Sequence, residues 1–262
     1  MSKKYKIIVA HPDDEVIFFS SILKQASQVI ICFTDTQDAI VNIGRRHLKN
    51  KIHLNNYFFL DLKESDVFNT GNWNNPSKFN DSLNLKSYQN LKSKLSKIFK
   101  YGDTIYTHNP WGEYGHEGHS QTFRAIKSLQ RKFNLTILVT GYVSNKSFNL
   151  MKSHQYLLTN DIEYKKINSK FSEKLKKLYI SNFCWTWNDL YSWPKNEIFF
   201  KINSNKRITD IKQINNQSIP IIFLEGDYKI SFIRSYLTNI TSYKFRKKIK
   251  NFLNKYFKLP VN

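Results

Sequence analysis

Five consecutive residues, His11-Pro12-Asp13-Asp14-Glu15, follow the apolar run Ile7-Ile8-Val9-Ala10 and precede Val16-Ile17-Phe18-Phe19. An imidazole and three carboxylates at the end of a buried strand can hold a metal ion and move protons, and strand C-terminal ends are where open α/β sheets bind ligands. Pro12 suits the first position of a helix, so the spacing predicts His11 at the cap and Asp14 about one turn further on. His11 and Asp14 then face one point with the nitrogen and oxygen donors that zinc prefers. Asp13 lies between them and reaches the same region, where a general base for a metal-bound water would stand. The plain counterpart is helix-start chemistry, since acids in a first turn gain roughly 0.3 to 1 kcal/mol each from the macrodipole.

A second segment, Glu113-Tyr114-Gly115-His116-Glu117-Gly118-His119, follows the strand-like run Asp103 to Thr107 and leads into the helical pattern Thr122 to Leu129. One of its two histidines is enough to complete a His, Asp, His ligand set that leaves a coordination position for water, the mark of a catalytic rather than a structural zinc site. A lone His-x-x-His is commonly a solvated or core pair. The two segments together, each after a strand-like run, carry the metal reading.

The segment Ala10-His11-Pro12-Asp13-Asp14-Glu15, paired with Gly115-His116-Glu117-Gly118-His119, resembles the zinc-dependent N-deacetylases of the PIG-L and LmbE-like family. The resemblance is carried by residues 5 to about 130. It implies one zinc ion per chain held by His11, Asp14 and His119, with Asp13 as the base and His116 assisting the oxyanion or the leaving amine. It further implies removal of the N-acetyl group from a GlcNAc-type amino sugar carried in a sugar conjugate, nucleotide sugar or glycolipid. An Arg after the second strand contacts the sugar in that family. Arg45 and Arg46 stand in about that place, with no acidic companion next to them. Asp61 closes the run Tyr57-Phe58-Phe59-Leu60 and is a substrate candidate by the same strand-end logic, while Glu15 is expected to support the metal ligands or cap the helix.

Positioning these residues takes alternating strands and helices. Apolar runs predict strands near 5–10, 28–33, 57–61, 103–107 and 135–141, and helices over 15–26, 38–54, 84–99 and 119–131. The expected fold is α/β, a Rossmann-like three-layer sandwich with a mainly parallel central sheet. A single domain, 1–262, is expected, with a motif-bearing core at 5–141 and a C-terminal part, 142–262, that ends in a basic helical extension. Asn69 to Asn84 reads as a long loop, Phe171 to Tyr179 as a helix, and Ile198 to Ile202 and Ile219 to Leu224 as further strands. The aromatic cluster Cys184 to Trp193 reads as core, as a lid or as a sugar platform.

Cys32 and Cys184 read as buried thiols of a reducing compartment rather than a disulfide. No stretch is apolar enough to span a membrane and none reads as a secretory signal, so the expectation is a cytoplasmic protein. The chain holds 41 Lys and Arg against 20 Asp and Glu, a net charge of +21, with no acid after Asp227. That field favours anionic partners without choosing among them. Phe245, Ile249, Phe252, Leu253, Tyr256 and Phe257 fall at helical spacing among lysines, a pattern that fits peripheral association with an anionic membrane face and equally fits packing on the chain's own domain. Two other function classes share these features. One is a zinc amidase cleaving a larger acyl group; the other is a basic nucleic-acid or membrane-surface binding protein with a vestigial metal site. No recognition-helix or RNA-binding signature supports the latter, so no specific nucleic acid is expected.

Overall fold

The computed structural model describes residues 4–36, 38–52, 56–64, 82–188, 191–208 and 218–224. Its strands are β1 (Lys6–Val9), β2 (Gln28–Asp35), β3 (Tyr57–Lys63), β4 (Thr104–Thr107), β5 (Thr136–Thr140), β6 (Tyr142–Val143), β7 (Leu158–Lys166), β8 (Asn196–Ile202) and β9 (Ile222–Phe223). The main helices are α1 (Asp14–Phe18), α2 (Ala39–Lys51), α3 (Ser82–Ser96), α4 (Glu117–Phe133), α5 (Phe148–His154) and α6 (Ser169–Ser181).

Seven strands form one sheet in the order β3-β2-β1-β4-β5-β8-β7, while β6 and β9 make a small second pair. Strands β1 to β5 run parallel, and β8 and β7 add to β5 as an antiparallel flank. All four residues of β1 are buried, as expected of a parallel strand covered on both faces. The core gathers Ile8, Ile30, Ile105 and Ile137 from the sheet with Leu91 and Leu95 of α3 and Phe123, Ile126 and Leu129 of α4. This is the mainly parallel α/β architecture that the apolar runs call for.

Strand order reverses between β1 and β4, and in such sheets the crevice beyond that switch point takes the ligand. The His11 segment leaves β1 and the His116 segment follows β4, so the topology itself delivers both to one place.

Several boundaries differ from expectation. The first helix is one short turn: Asp13, at φ 96, is its cap, so Pro12 lies ahead of the helix rather than at its first position. It ends at Phe18 because the backbone N–H groups of Ser20 and Ser21 donate to the buried Glu197 carboxylate on β8 at 2.9 Å each, replacing helical hydrogen bonds. Strand β3 runs on to Lys63 through a register shift against β2, with Asp61 at φ 51 within it. Helix α2 is capped by the Asp38 side chain, which accepts from the N–H groups of Ile40 and Val41. Strand β7 and helix α5 have no counterpart among the predicted elements, and the 219–224 strand shrinks to β9. The 69–84 loop is helical from Ser82, its remainder lies outside the described residues, and so does the predicted helix at 243–262. Cys32 and Cys184 are free and buried.

The chain divides into two compact units, the first Met1–Cys184 with Trp193–Glu225, which carries the sheet, and the second Trp185–Ser192 with Gly226–Asn262. In the described part of the second, the indole N–H of Trp185 donates to the Asn188 carbonyl at 3.3 Å and the Trp187 ring meets Tyr191 edge-on. Trp193, of the first unit, donates its indole N–H to the Val16 carbonyl at 2.7 Å and so braces α1.

Candidate metal centre and active site

The turn after β1 closes on a carboxylate. The His11 backbone N–H donates to Asp14 Oδ2 at 2.7 Å, and the ring Nδ1 lies 3.2 Å from the same oxygen. Asp13, buried and at φ 96, sits at the sharpest point of this turn, and its N–H donates to Glu15 Oε2 at 3.1 Å. Glu15 is fully buried; its Oε1 accepts the hydroxyl of Tyr179 and, at 3.5 Å, that of Tyr57.

The segment after β4 contributes a residue that the motif reading passed over. His108 is fully buried, and its Nε2 accepts the Ala10 backbone N–H at 2.9 Å, which ties β4 to the mouth of β1. Because Nε2 accepts, the neutral ring carries its proton on Nδ1 and donates it to Glu113 Oε2 at 3.0 Å. The same Glu113 oxygen receives His119 Nδ1 at 2.7 Å, while Oε1 accepts the Asn109 N–H at 3.0 Å and the Thr140 hydroxyl. Glu113 stands at φ 49 between Gly112 at φ 68 and Gly115 at φ 88, so this bend needs left-handed backbone at three positions. His116 then caps α4 with its own ring, its Nδ1 accepting the Gly118 N–H at 3.1 Å.

These connections fix which nitrogen of each ring faces the cluster. His119 has committed Nδ1 to Glu113 and presents Nε2, 3.3 Å from Asp14 Oδ1. His11 has Nδ1 against Asp14 and presents Nε2, 3.4 Å from Glu64 Oε1. Both Nε2 atoms are buried without a hydrogen-bond partner. One ligand atom each from His11, His116 and His119 falls within 4.8 Å of the others, and the same holds for Asp14, His108 and His119. His119 belongs to both groups and its ring lies 3.8 Å from His108 and 4.6 Å from His116, stacked on both sides. Buried ring nitrogens without a hydrogen bond are costly unless something takes them up, and the carboxylates of Asp14 and Glu113 beside His119 favour a positive charge here. The residues present therefore fit a divalent ion that accepts nitrogen and carboxylate oxygen.

The electrostatics match that arrangement. Burial opposes ionisation of Asp14, yet His119, His108 and His11 around it hold its carboxyl well below the usual range. Burial also opposes charge on His119, but Asp14 and Glu113 outweigh it and push the ring up to about 10. Glu113, likewise buried, is pulled down to about 2 by His108 and His119. His116 goes the other way: burial, then the neighbouring His119 and His11, keep it well below the ordinary histidine value.

The structure brings His11, Asp14, His116 and His119 into one cluster, and Asp13 is buried on the turn that carries His11 and Asp14. Arg45 is buried on α2 and donates from Nη1 to Glu64 Oε1 at 2.8 Å, so the acidic companion absent from its sequence neighbourhood is supplied by Glu64 at the end of β3. Arg46, the next residue, is exposed. Asp61 turns outward and engages Lys49 Nζ at 2.5 Å and the Thr34 hydroxyl at 3.1 Å. His108, Glu113 and Glu64 are the residues that sequence reasoning missed. The same strand-end logic, applied one residue past Thr107 and past Lys63, would have found two of them.

Three comparisons with known proteins bear on this site. The family model PIG-L, described as GlcNAc-PI de-N-acetylase, matches residues 6–129. An uncharacterised protein of Acanthamoeba polyphaga mimivirus is 27% identical over 188 residues, covering 67% of this chain and 80% of that protein. Among solved structures, the pseudoaglycone deacetylase Dbv21 matches with a TM-score of 0.50 at 10% identity, covering 79% of this chain and 100% of that one. A deacetylase-bog complex from the biosynthesis pathway of teicoplanin matches with a TM-score of 0.50 at 11% identity, covering 77% and 98%. At such identities the solved structures speak for the fold.

Proposed function

Residues 6–129 match the PIG-L family model, and from that match we propose that the chain is a zinc-dependent N-deacetylase acting on an N-acetylated, GlcNAc-type amino sugar within a larger conjugate. The observation that carries this reading is the pair of buried Nε2 atoms without a hydrogen bond, that of His119 lying 3.3 Å from Asp14 Oδ1 and that of His11 3.4 Å from Glu64 Oε1. His11, Asp14 and His119 would hold one ion per chain. When bound there, zinc would polarise the amide carbonyl and bring the pKa of water toward about 7.

The protein's own groups divide the remaining work. Asp13, at the bend of the same turn, takes the proton of the attacking water as the C–O bond forms. His116 uses Nδ1 as an acceptor from Gly118, which places the proton of the neutral ring on Nε2. That N–H is a donor for the oxygen of the tetrahedral intermediate rather than a fourth ligand. The departing amine takes the proton that Asp13 has gained, since a neutral His116 that keeps its Nε2–H for the oxyanion has none to spare. Water is thereby divided between acetate and amine, with the base regenerated.

For the sugar, the Arg45–Glu64 pair would offer donors and an acceptor for hydroxyl groups. The exposed Arg46 and Asp61 are assigned to parts of a conjugate beyond the acetamido sugar. The net charge of +21 supports an anionic conjugate over a neutral one. Among the described residues no helix is long and apolar enough to cross a membrane.

The test is a panel of N-acetylated sugar conjugates incubated with zinc-loaded protein and followed by mass spectrometry and acetate release. Wild-type protein is expected to keep stoichiometric zinc through dialysis and release acetate, and D13N to lose roughly 10² to 10⁴ in rate with its zinc retained. Release of a larger acid instead of acetate would make the enzyme an amidase of another acyl group. Absence of bound zinc, or a fully active D13N, would end the hydrolase reading.

A further inference from the structure

The family match stops at residue 129, but a side chain fifty residues later is built into the turn that carries Asp13. Asp13 is held at φ 96, a left-handed conformation that a residue with a Cβ adopts only when its surroundings insist on it. Its N–H is directed at Glu15 Oε2, 3.1 Å away. The other oxygen of Glu15 takes the Tyr179 hydroxyl in a hydrogen bond, with Tyr57 more distant at 3.5 Å. Glu15 and Tyr179 are both fully buried, so water does not replace either partner.

Tyr179 is in turn fixed from behind. It lies in the last turn of α6, and its carbonyl accepts the N–H groups of Asn182 at 3.2 Å and Cys184 at 3.1 Å. That helix end is seated against α2 at Gly44, where a Cβ would stand 2.0 Å from the Asn182 carbonyl oxygen. The chain of contacts thus runs from the α2–α6 seam through a phenol and a carboxylate to the backbone of one aspartate.

We propose that Tyr179 is a positioning residue: through Glu15 it holds the backbone of Asp13 in the left-handed turn that aims the Asp13 carboxylate at the reacting water. This rests on Asp13 as the base, and it adds a requirement for the C-terminal half of the chain. Without the Tyr179 hydroxyl, Glu15 Oε1 loses its nearer partner, the carboxylate can turn, and the acceptor that pins the Asp13 N–H is no longer fixed. The ligands His11, Asp14 and His119 are not in that chain of bonds, so metal binding and substrate binding are expected to survive.

The experiment is a kinetic cycle over wild type, D13N, Y179F, E15A, E15Q and E15A/Y179F, each with zinc content and thermal midpoint recorded. Expected are a loss of roughly 10- to 100-fold in kcat for Y179F with KM and zinc unchanged, and no further loss when Y179F is added to E15A. E15Q keeps an oxygen for the Asp13 N–H and is expected to recover at least part of the kcat lost in E15A; this comparison decides the matter should Y179F not fold. Wild-type kcat in Y179F, a second independent loss in E15A/Y179F, or E15Q no better than E15A would overturn the proposal. Inactive wild type, or a D13N as active as wild type, would instead remove the deacetylase reading on which it stands.

Discussion

Gly118 offers the sharpest test of where the His11 ring sits. A Cβ built at Gly118 would lie 3.0 Å from His11 Cε1, 3.1 Å from His11 Nε2 and 3.2 Å from His116 Cε1. These are closer than carbon normally comes to a ring, and the ring has little room to yield because its Nδ1 and its backbone N–H are both engaged with Asp14. The substitution G118A should nevertheless not harm the helix. Gly118 is the second residue of α4, and alanine is favoured over glycine in a helix by up to about 1 kcal/mol. Displacing one ligand by a few tenths of an ångström is comparable to losing an outer support of a metal ligand, which costs about 10- to 100-fold in affinity or activity. At about 1.4 kcal/mol per tenfold, the metal site should lose roughly 1.4 to 2.8 kcal/mol while the fold loses nothing. Chelator competition for zinc, thermal melts of metal-free protein and acetate release would be measured together. Wild-type zinc affinity and turnover in G118A would refute the placement of His11 Nε2 against residue 118.

For His116, H116A is expected to lose roughly 10² to 10³ in kcat with zinc retained, because its Nδ1 is committed to the helix cap and its Nε2–H would serve as the proposed oxyanion donor; loss of zinc instead would make His116 a ligand. E113Q turns an amide N–H₂ toward a cluster of donors and should weaken zinc binding by about 10- to 100-fold in chelator competition. Glu113 also gives a pH signature in metal-free protein. Its folded-state pKa, about 2, lies below the ordinary 4.5, so its contribution is fully present above about 4.5 and is lost as pH falls toward 2. The stability gap between wild type and E113Q, read from urea midpoints, should shrink over that window; a constant gap would contradict the assignment.

What was legible in the sequence was whatever depends on local pattern. The five parallel strands announce themselves as apolar runs, and the two motifs stand at strand ends because buried strands leave few other places for polar clusters. What escaped depends on partners far along the chain. The first helix stops after Phe18 because Glu197, about 180 positions later, takes the N–H groups of Ser20 and Ser21. Asp61 reads as the end of its strand, yet β3 shifts register there, turns Asp61 outward and runs on to Lys63, so the carboxylate that meets Arg45 is that of Glu64, one residue past the strand. His108 was visible by the logic used for His11, but it stands alone in sequence. Only the pairing of β1 with β4 shows that its lone pair serves Ala10.

Backbone strain separates the functional positions from the merely structural ones once burial is added. Among the described residues five non-glycine positions have positive φ: Asp13, Asp61, Glu113, Asn134 and Phe183. Asp61, Asn134 and Phe183 are exposed, and each lies at a strand irregularity or just past a helix end, where a left-handed residue redirects the chain. Asp13 and Glu113 are buried, and both are held by bonds from distant parts of the chain. Glu113 is gripped by Thr140 on its carboxylate and by the Ser147 hydroxyl on its carbonyl, while Asn109 beside it donates to the carbonyls of Thr140 and Tyr142. Asp13 is gripped through Glu15 by Tyr179. Strain that survives in a dry interior has to be over-determined by its neighbours, and the two places where this chain spends such bonds are the turn bearing the proposed base and the bend that sets His116 and His119. Thr140, Ser147 and Tyr179 come from beyond the family match, so the second half of the chain helps to brace a site whose proposed ligands all lie in the first.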